Sequence, residues 1–483
     1  MRGNTLTDLL KTFSPKELKE FREFLRSGFF NKRSAVVSLY DIIVKYHPDY
    51  ENEKLTAQNI FKELFQGKKY NDSTLRVLMH YLTELSEKFI VFNKLKNNEP
   101  EFSVLLENEL CLRKQYKVLE KNINRSEEDL ELMDLSAEEY YYFKYRFSNE
   151  KIRFLFESNY ALYEKILSKP DWENVFRDFT NYYHIKSMQM YLNSITFYRQ
   201  YNKDFRSQAF TDMIQKITPD NYEDNPVIEI FYNILKMITN TSEESYFFKV
   251  KELVQKNKAL LNKFDLMGVY IHLNQYCLKK ISEGDKKFQK ESFEIYKEEL
   301  KEKTYRMNDG SMAPMFYRSM VKAGLLINEL DWVKDFIDEY KPELTKSFRE
   351  NYYYYCRALY EFHAGNYGSS MELNSKIKYD ELYMKLNSKT LQMQLLYETN
   401  AQESLIASLE SFRHFLAGNK LIPDSIKLQF SNFNKYLHKI LLNINKKNKT
   451  EAGLLYKTLL KENNVINKDW LLKKASAVRQ LGS

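Results

Sequence analysis

Residues 351–373 read NYYYYCRALYEFHAGNYGSSMEL, and residues 386–416 read LNSKTLQMQLLYETNAQESLIASLESFRHFL. Apolar residues recur three and four apart through both stretches, and Gly365-Asn366 marks a turn in the first, so the sequence predicts two successive helical hairpins over Tyr352–Leu416. Ala358 and Tyr367 bracket the end of one helix and the start of the next. The same pair recurs 35 residues earlier as Ala323 and Trp332, and Phe336, Met371 and Ile406 keep that step through three units. A step of this length fits one helix-turn-helix per repeat, because a lone hairpin leaves one apolar face bare and must stack on a neighbour.

Those residues resemble a tetratricopeptide repeat. Gly365, Asn366 and Tyr367 match its Gly-Asp-Tyr turn, Tyr354 its large aromatic position, Ala358 the small position of its first helix and Ser370 that of its second. Arg357 and Glu361 depart from the pattern, standing where it has Leu and Tyr, and the preceding unit has Asp335 where a small residue is expected. The resemblance implies that Tyr352, Tyr355, Leu359, Phe362 and His363 lie toward a concave face and contact a partner there. The chain is also similar to a group of uncharacterised bacterial helical proteins that share an opening like FSPKELKEF and a middle like YIHLNQYCLKK. No activity follows from that similarity.

Length and composition set the frame around this stretch. With 483 residues the chain exceeds one compact core, and its 12 Gly and 9 Pro favour long helices over many strands. Cys111, Cys277 and Cys356 are odd in number and far apart, which excludes a disulfide framework and a paired metal motif and suits a reducing compartment. The opening MRGNTLTDLLKTFSPK has no apolar run long enough for a secretory signal, and no window approaches the ~18 apolar residues of a membrane helix. A cytoplasmic location without membrane contact is expected.

Along the chain, Ser14-Pro15-Lys16-Glu17 announces a helix through its capping box. Helices at about 56–65 and 72–92 flank a basic turn, an arrangement that a DNA-reading helix-turn-helix also has, although this turn is longer. Lys96–Pro100 reads as a linker. The helical pattern resumes near Phe102, breaks around Asn122 to Asp134, and restarts at a second capping box, Ser136–Glu139. Hairpins then follow one another to the end. The prediction is an all-α protein with three parts: an N-terminal helical module over 1–95, TPR-like repeats forming a right-handed α-solenoid of irregular hairpins over 102–417, and basic C-terminal helices over 418–483 that cap it.

Chemistry is sparse. The sequence has no HExxH, no phosphate loop ending in Lys-Ser/Thr, no GxGxxG and no GxSxG, and its seven histidines stand singly. Carboxylates sit among lysines, as in Glu298-Glu299-Leu300-Lys301-Glu302-Lys303, which reads as a solvated face. No catalytic residue, cofactor or metal is expected. Four tyrosines in a row at 352–355 rotate by about 100° each and cannot all enter one core stripe. The net charge of +8 is concentrated at the end: residues 418–483 carry 13 Lys plus Arg against 4 Asp plus Glu, leaving 1–417 at −1. Lys446, Lys447, Lys449, Lys473 and Lys474 of this tail suit an acidic partner or phosphates, and a terminal repeat also needs a polar outer face to stay in solution. The function expected is a non-enzymatic protein–protein interaction scaffold or adaptor that holds a protein or peptide in a concave groove. The alternative is a nucleic-acid-associated regulator that uses the N-terminal module, the basic tail or both.

Overall fold

The structure, a computed structural model, describes residues 5–158, 171–200, 207–218, 225–379, 381–446 and 449–480. Among these every regular element is a helix, and the chain divides into two compact units, residues 1–133 with 143–175 and residues 134–142 with 176–483.

The first unit opens with α1 (Thr5–Lys11), α2 (Pro15–Arg26), α3 (Ser34–Ile43), α4 (Ala57–Leu64) and α5 (Asp72–Lys96). The capping box forms as its residue types require: Glu17 N–H donates to Ser14 Oγ at 3.2 Å and Ser14 N–H to the Glu17 carboxylate at 2.8 Å. The long α5 packs against each of the other four, and Leu6, Leu10, Phe21, Leu39, Leu82 and Leu85 fill the space between them. The expected linker is shorter than Lys96–Pro100. Only Asn97 and Asn98 separate α5 from α6 (Glu99–Leu112), whose first turn takes in Pro100 because a proline there lacks only an N–H that has no intrahelical partner.

α7 (Tyr116–Leu130) runs through the break expected at Asn122. Its apolar pattern lapses because Asn122 and Ser126 turn inward to a buried carboxylate: Asn122 Nδ2 donates to Glu107 Oε1 at 3.2 Å and Ser126 Oγ at 2.8 Å. Burial pushes the Glu107 carboxyl up to about 7.

The remaining helices are α8 (Ala137–Ser158), α9 (Asp171–Gln200), α10 (Gln208–Gln215), α11 (Pro226–Thr239), α12 (Ser245–Asn257), α13 (Lys263–Ser282) and α14 (Lys287–Glu302). They are followed by α15 (Pro314–Leu326), α16 (Leu330–Tyr340), α17 (Lys346–His363), α18 (Tyr367–Ser375), α19 (Leu382–Glu398) and α20 (Gln402–Gly418). Last come α21 (Asp424–Lys446), α22 (Lys449–Lys461) and α23 (Lys468–Gln480). From α11 to α20 the helices pack in consecutive pairs, and first members also meet directly, α11 with α13, α15 with α17 and α17 with α19.

One turn joins four of these pairs. Gly284, Asn328, Gly365 and Asn400 each take a positive φ, at 101°, 64°, 82° and 58°. The N–H of the next residue then reaches the carbonyl five positions back: Asp285 to Lys280, Glu329 to Gly324, Asn366 to Glu361 and Ala401 to Leu396, at 2.8–3.0 Å. This left-handed closure satisfies a carbonyl that the ending helix leaves bare, and Gly or Asn tolerates the conformation it needs.

The turns are spaced by 44, 37 and 35 residues, so the uniform 35-residue step does not hold. In the turn register the equivalent positions are Val333, Ser370 and Leu405, all fully enclosed. The Phe336–Met371–Ile406 ladder instead runs outward, and Ile406 is 48% exposed. Ala358 is fully buried as expected, with Ser370 Oγ donating to its carbonyl at 2.7 Å.

Candidate interaction face

α17 carries five of the residues singled out in the sequence. It starts after Thr345, ends at the Gly365 turn, and lies between α15 and α19. Tyr352 reaches both neighbours: its hydroxyl donates to Glu381 at the head of α19 at 3.2 Å and sits 3.9 Å from Met315 Sδ on α15. Tyr355, Leu359 and Phe362 follow down the same side. All four are buried, at 3–9% exposure, in the core shared by α15, α17 and α19.

These four side chains therefore hold α17 to its neighbours, and the expectation that they form an open contact surface is corrected in this respect. A helix flanked on both sides buries the stripe that periodicity alone leaves facing a groove. His363, the fifth, is exposed, and burial of its surroundings with the nearby Lys473 ammonium holds its imidazole pKa below the usual value. Tyr353 and Tyr354 are the half-exposed members of the run, with Lys341 Nζ 4.0 Å above the Tyr353 ring.

The two departures from the repeat pattern answer one another. Arg357 Nε pairs with Glu361 at 3.1 Å, its Nη1 with Asp338 at 3.1 Å, and Asn366 Nδ2 donates to the other Glu361 oxygen at 2.8 Å. A charged clasp stands where Leu and Tyr are expected.

The tail lysines separate into two kinds. Lys474 Nζ pairs with Glu398 at 2.6 Å, and the same carboxylate accepts Trp470 Nε1 at 2.7 Å, so this lysine fastens α23 to α19 and is not available to a partner. Lys473 is exposed. Lys446 ends α21 and Lys449 begins α22, while Lys447 lies outside the described residues.

Beside α17, the outer stripe of α15 holds Met315, Arg318, Lys322 and Leu326, spaced so that all four fall within about 80° of arc. Met315 and Leu326 are 53% and 40% exposed. Arg318 Nε is shielded from solvent and has no hydrogen-bond partner, and among the described residues no carboxylate pairs with Arg318 or Lys322. Lys322 reaches solvent, yet surrounding protein and the Arg318 charge bring its ammonium pKa down to about 8. Arg318 also acts through space on Tyr296, Tyr352, Tyr355 and Cys356, which places it at the junction of α14, α15 and α17.

The chain matches no protein-family model, no curated protein and no solved structure.

Other features of the described residues are engaged internally. The Cys277 and Cys356 thiols are pushed up to about 12 by burial, which removes the thiolate that nucleophilic chemistry needs. No group of three or more His, Cys, Asp or Glu side chains is placed to hold a metal. A cleft of about 520 Å³ along α5 is bordered by Asp72, Arg76, His80, Glu84 and Glu87. Arg76 is paired there with Asp72 at 2.7 Å and His80 contacts Glu84 at 3.4 Å, so the cleft has no surplus cation for a phosphate backbone. No described helix is long and apolar enough to cross a membrane.

The sequence held one signal for the α15 stripe. Arg318 and Lys322 are like charges four residues apart, a spacing that destabilises a helix slightly, and they are flanked at the same face by Met315 and Leu326.

Proposed function

We propose that the protein is a non-enzymatic interaction scaffold, with its second unit a TPR-like right-handed superhelix of irregular hairpins that takes up a protein or peptide along the side of its first helices. The observation that carries this reading is the α15 stripe, in which two cations without a carboxylate partner lie between two exposed apolar side chains. The recurring turn and the direct contacts among first helices support the repeat architecture. Three buried cysteines outside any disulfide accord with a cytoplasmic setting.

Contact area at such a face comes from a few large side chains, with the surrounding residues close to neutral. Replacing Met315 and Leu326 together by Glu should weaken a bound partner by about 1–3 kcal/mol. Both side chains are half in solvent, so the melting temperature should stay within a few degrees. The test is affinity capture from the native cell extract with the intact chain and with the double variant, beside a thermal melt of each. A captured protein lost with the variant at an unchanged melt supports the scaffold, and an identical set of captured proteins sinks it.

A further inference from the structure

We propose that Arg318 and Lys322 are the recognition point for a side-chain carboxylate of an acidic peptide segment laid along α15, with Met315 and Leu326 receiving apolar side chains on either side of that carboxylate. The inference deepens the scaffold reading and rests on it.

Arg318 and Lys322 carry an uncompensated cost. A guanidinium nitrogen removed from water without an acceptor is unfavourable, and a second cation one helical turn away adds repulsion. Elsewhere in this chain such positions are answered: Arg357 has Asp338 and Glu361, and Lys474 has Glu398. Around Arg318 and Lys322 the groups facing them are Tyr296, Tyr352, Tyr355 and Cys356, and none of these is ionised near neutral pH. The neighbouring carboxylate, Glu381, accepts the Tyr352 hydroxyl and forms no ion pair with either cation. A negative group supplied from outside would offset the charge of the partly exposed Arg318 side chain and restore full charge to Lys322, which burial and Arg318 now draw down to about 8.

The flanking residues choose among anions. A free phosphate gains nothing from Met315 or Leu326, and two cations neutralise only about two phosphates, too few to hold a nucleic acid at moderate salt. A peptide that alternates acidic and apolar side chains satisfies both the cations and the apolar pair.

Lys322 supplies its own readout, because a lysine with a depressed pKa acylates readily and an ion-paired one does not. The full-length protein is treated with a limiting amine acetylating reagent near neutral pH, and modification of Lys322 is followed by peptide mapping against exposed Lys334 as reference. The additions compared are a Glu–Leu alternating peptide, its Gln–Leu counterpart, inorganic phosphate and a short oligodeoxynucleotide. The Glu–Leu peptide should slow acetylation of Lys322 by about threefold or more, the range of one ion pair, and leave Lys334 unchanged. The protection should vanish in Arg318→Gln.

Absence of protection overturns the proposal, and so does equal protection by the Gln–Leu peptide, by phosphate or by the oligonucleotide. If Arg318→Gln does not fold, the affinity of the labelled Glu–Leu peptide for Lys322→Gln decides by fluorescence anisotropy. A loss of about threefold supports the assignment and an unchanged affinity overturns it. Loss of a captured partner on changing Met315 and Leu326, without protection of Lys322, would remove this assignment and leave the scaffold reading standing.

Discussion

Glu299 shows what one side chain does when its neighbours change its chemistry. It lies on α14 at 5% exposure, where Asn274 Nδ2 donates to its Oε1 at 2.8 Å and Ser292 Oγ donates to Asn274 Oδ1 at 3.0 Å. Burial raises its carboxyl to about 8, so at neutral pH it is mostly protonated. In the unfolded chain the same group ionises near the ordinary value of about 4.3. Between those two values the folded state binds one more proton than the unfolded state, so the contribution is complete at acid pH and is lost as pH rises toward 8. Glu299→Gln keeps the acceptor for Asn274 and removes the titration. The variant should lose less stability than the natural chain between about pH 5 and 8, ending more stable by about 1–3 kcal/mol at the upper limit. Urea midpoints measured across that range check it, and parallel curves for the two proteins would place Glu299 in a solvated environment. In the sequence, Glu299 sits in a run of Glu and Lys that reads as a solvated face. Periodicity marks charged residues as outward, and the amide that accommodates this one comes from the preceding helix, α13, which local spacing within α14 does not show.

At the scale of the helix pair, the closest approach is at Gly324 and not at Ala323, the alanine that the 35-residue step selects. A Cβ built on Gly324 would stand 2.4 Å from Val333 Cγ2 and 3.1 Å from Phe293 Cε2, so α14, α15 and α16 meet at a point where only hydrogen fits. Gly324→Ala should gain about 1 kcal/mol of helix propensity and lose more to the clash, for a net destabilisation of about 1–2 kcal/mol. Adding Val333→Ala should recover part of that loss by vacating the contact. A urea midpoint that rises in the single variant would show that the three helices can part freely there. Helix existence, both capping boxes and the hairpins between Tyr352 and Leu416 are legible in the sequence because each rests on local spacing and turn chemistry. The step is not, since the stretch between the Asn328 and Gly365 turns is two residues longer than the next and similar residue types happen to recur at 35. With the turns aligned, Asp335 no longer falls opposite Ser370; Val333 does, and it is buried. The candidate site was legible only as a direction. Spacing puts Tyr352, Tyr355, Leu359 and Phe362 on one side of α17, but what covers that side depends on α15 and α19.

Across the molecule, charge and packing are distributed differently, and the C-terminal helices are where the two must be separated. Residues 418–483 hold a net +9 in a chain of +8, which taken alone suggests a free basic arm. The structure draws part of that arm into the body of the second unit. Leu386, Met393, Leu405, Leu409 and Phe412 of α19 and α20 share one core with Phe433, Leu437, Ile440, Leu459 and Leu471, and Asn467 Nδ2 donates to Gln394 at 3.0 Å. A chain stopped after Leu416 would uncover that face, so loss of a function on truncation would report unfolding as readily as a missing contact. Adjacent lysines on α23 give a cleaner comparison. Lys474, 17% exposed against an 11% exposed Glu398, shares its carboxylate with the Trp470 indole and lies 5.5 Å from the Tyr397 ring centroid, whereas Lys473 is open to solvent. Both substitutions by Gln remove the same charge. Lys474→Gln should cost about 2–3 kcal/mol, because it leaves a largely buried carboxylate with one neutral donor, and Lys473→Gln should stay within about 0.5 kcal/mol. Urea unfolding followed by far-ultraviolet circular dichroism measures both. Equal midpoints would mean that α23 is held by its apolar side alone, and that the Glu398 pairing adds nothing to its attachment.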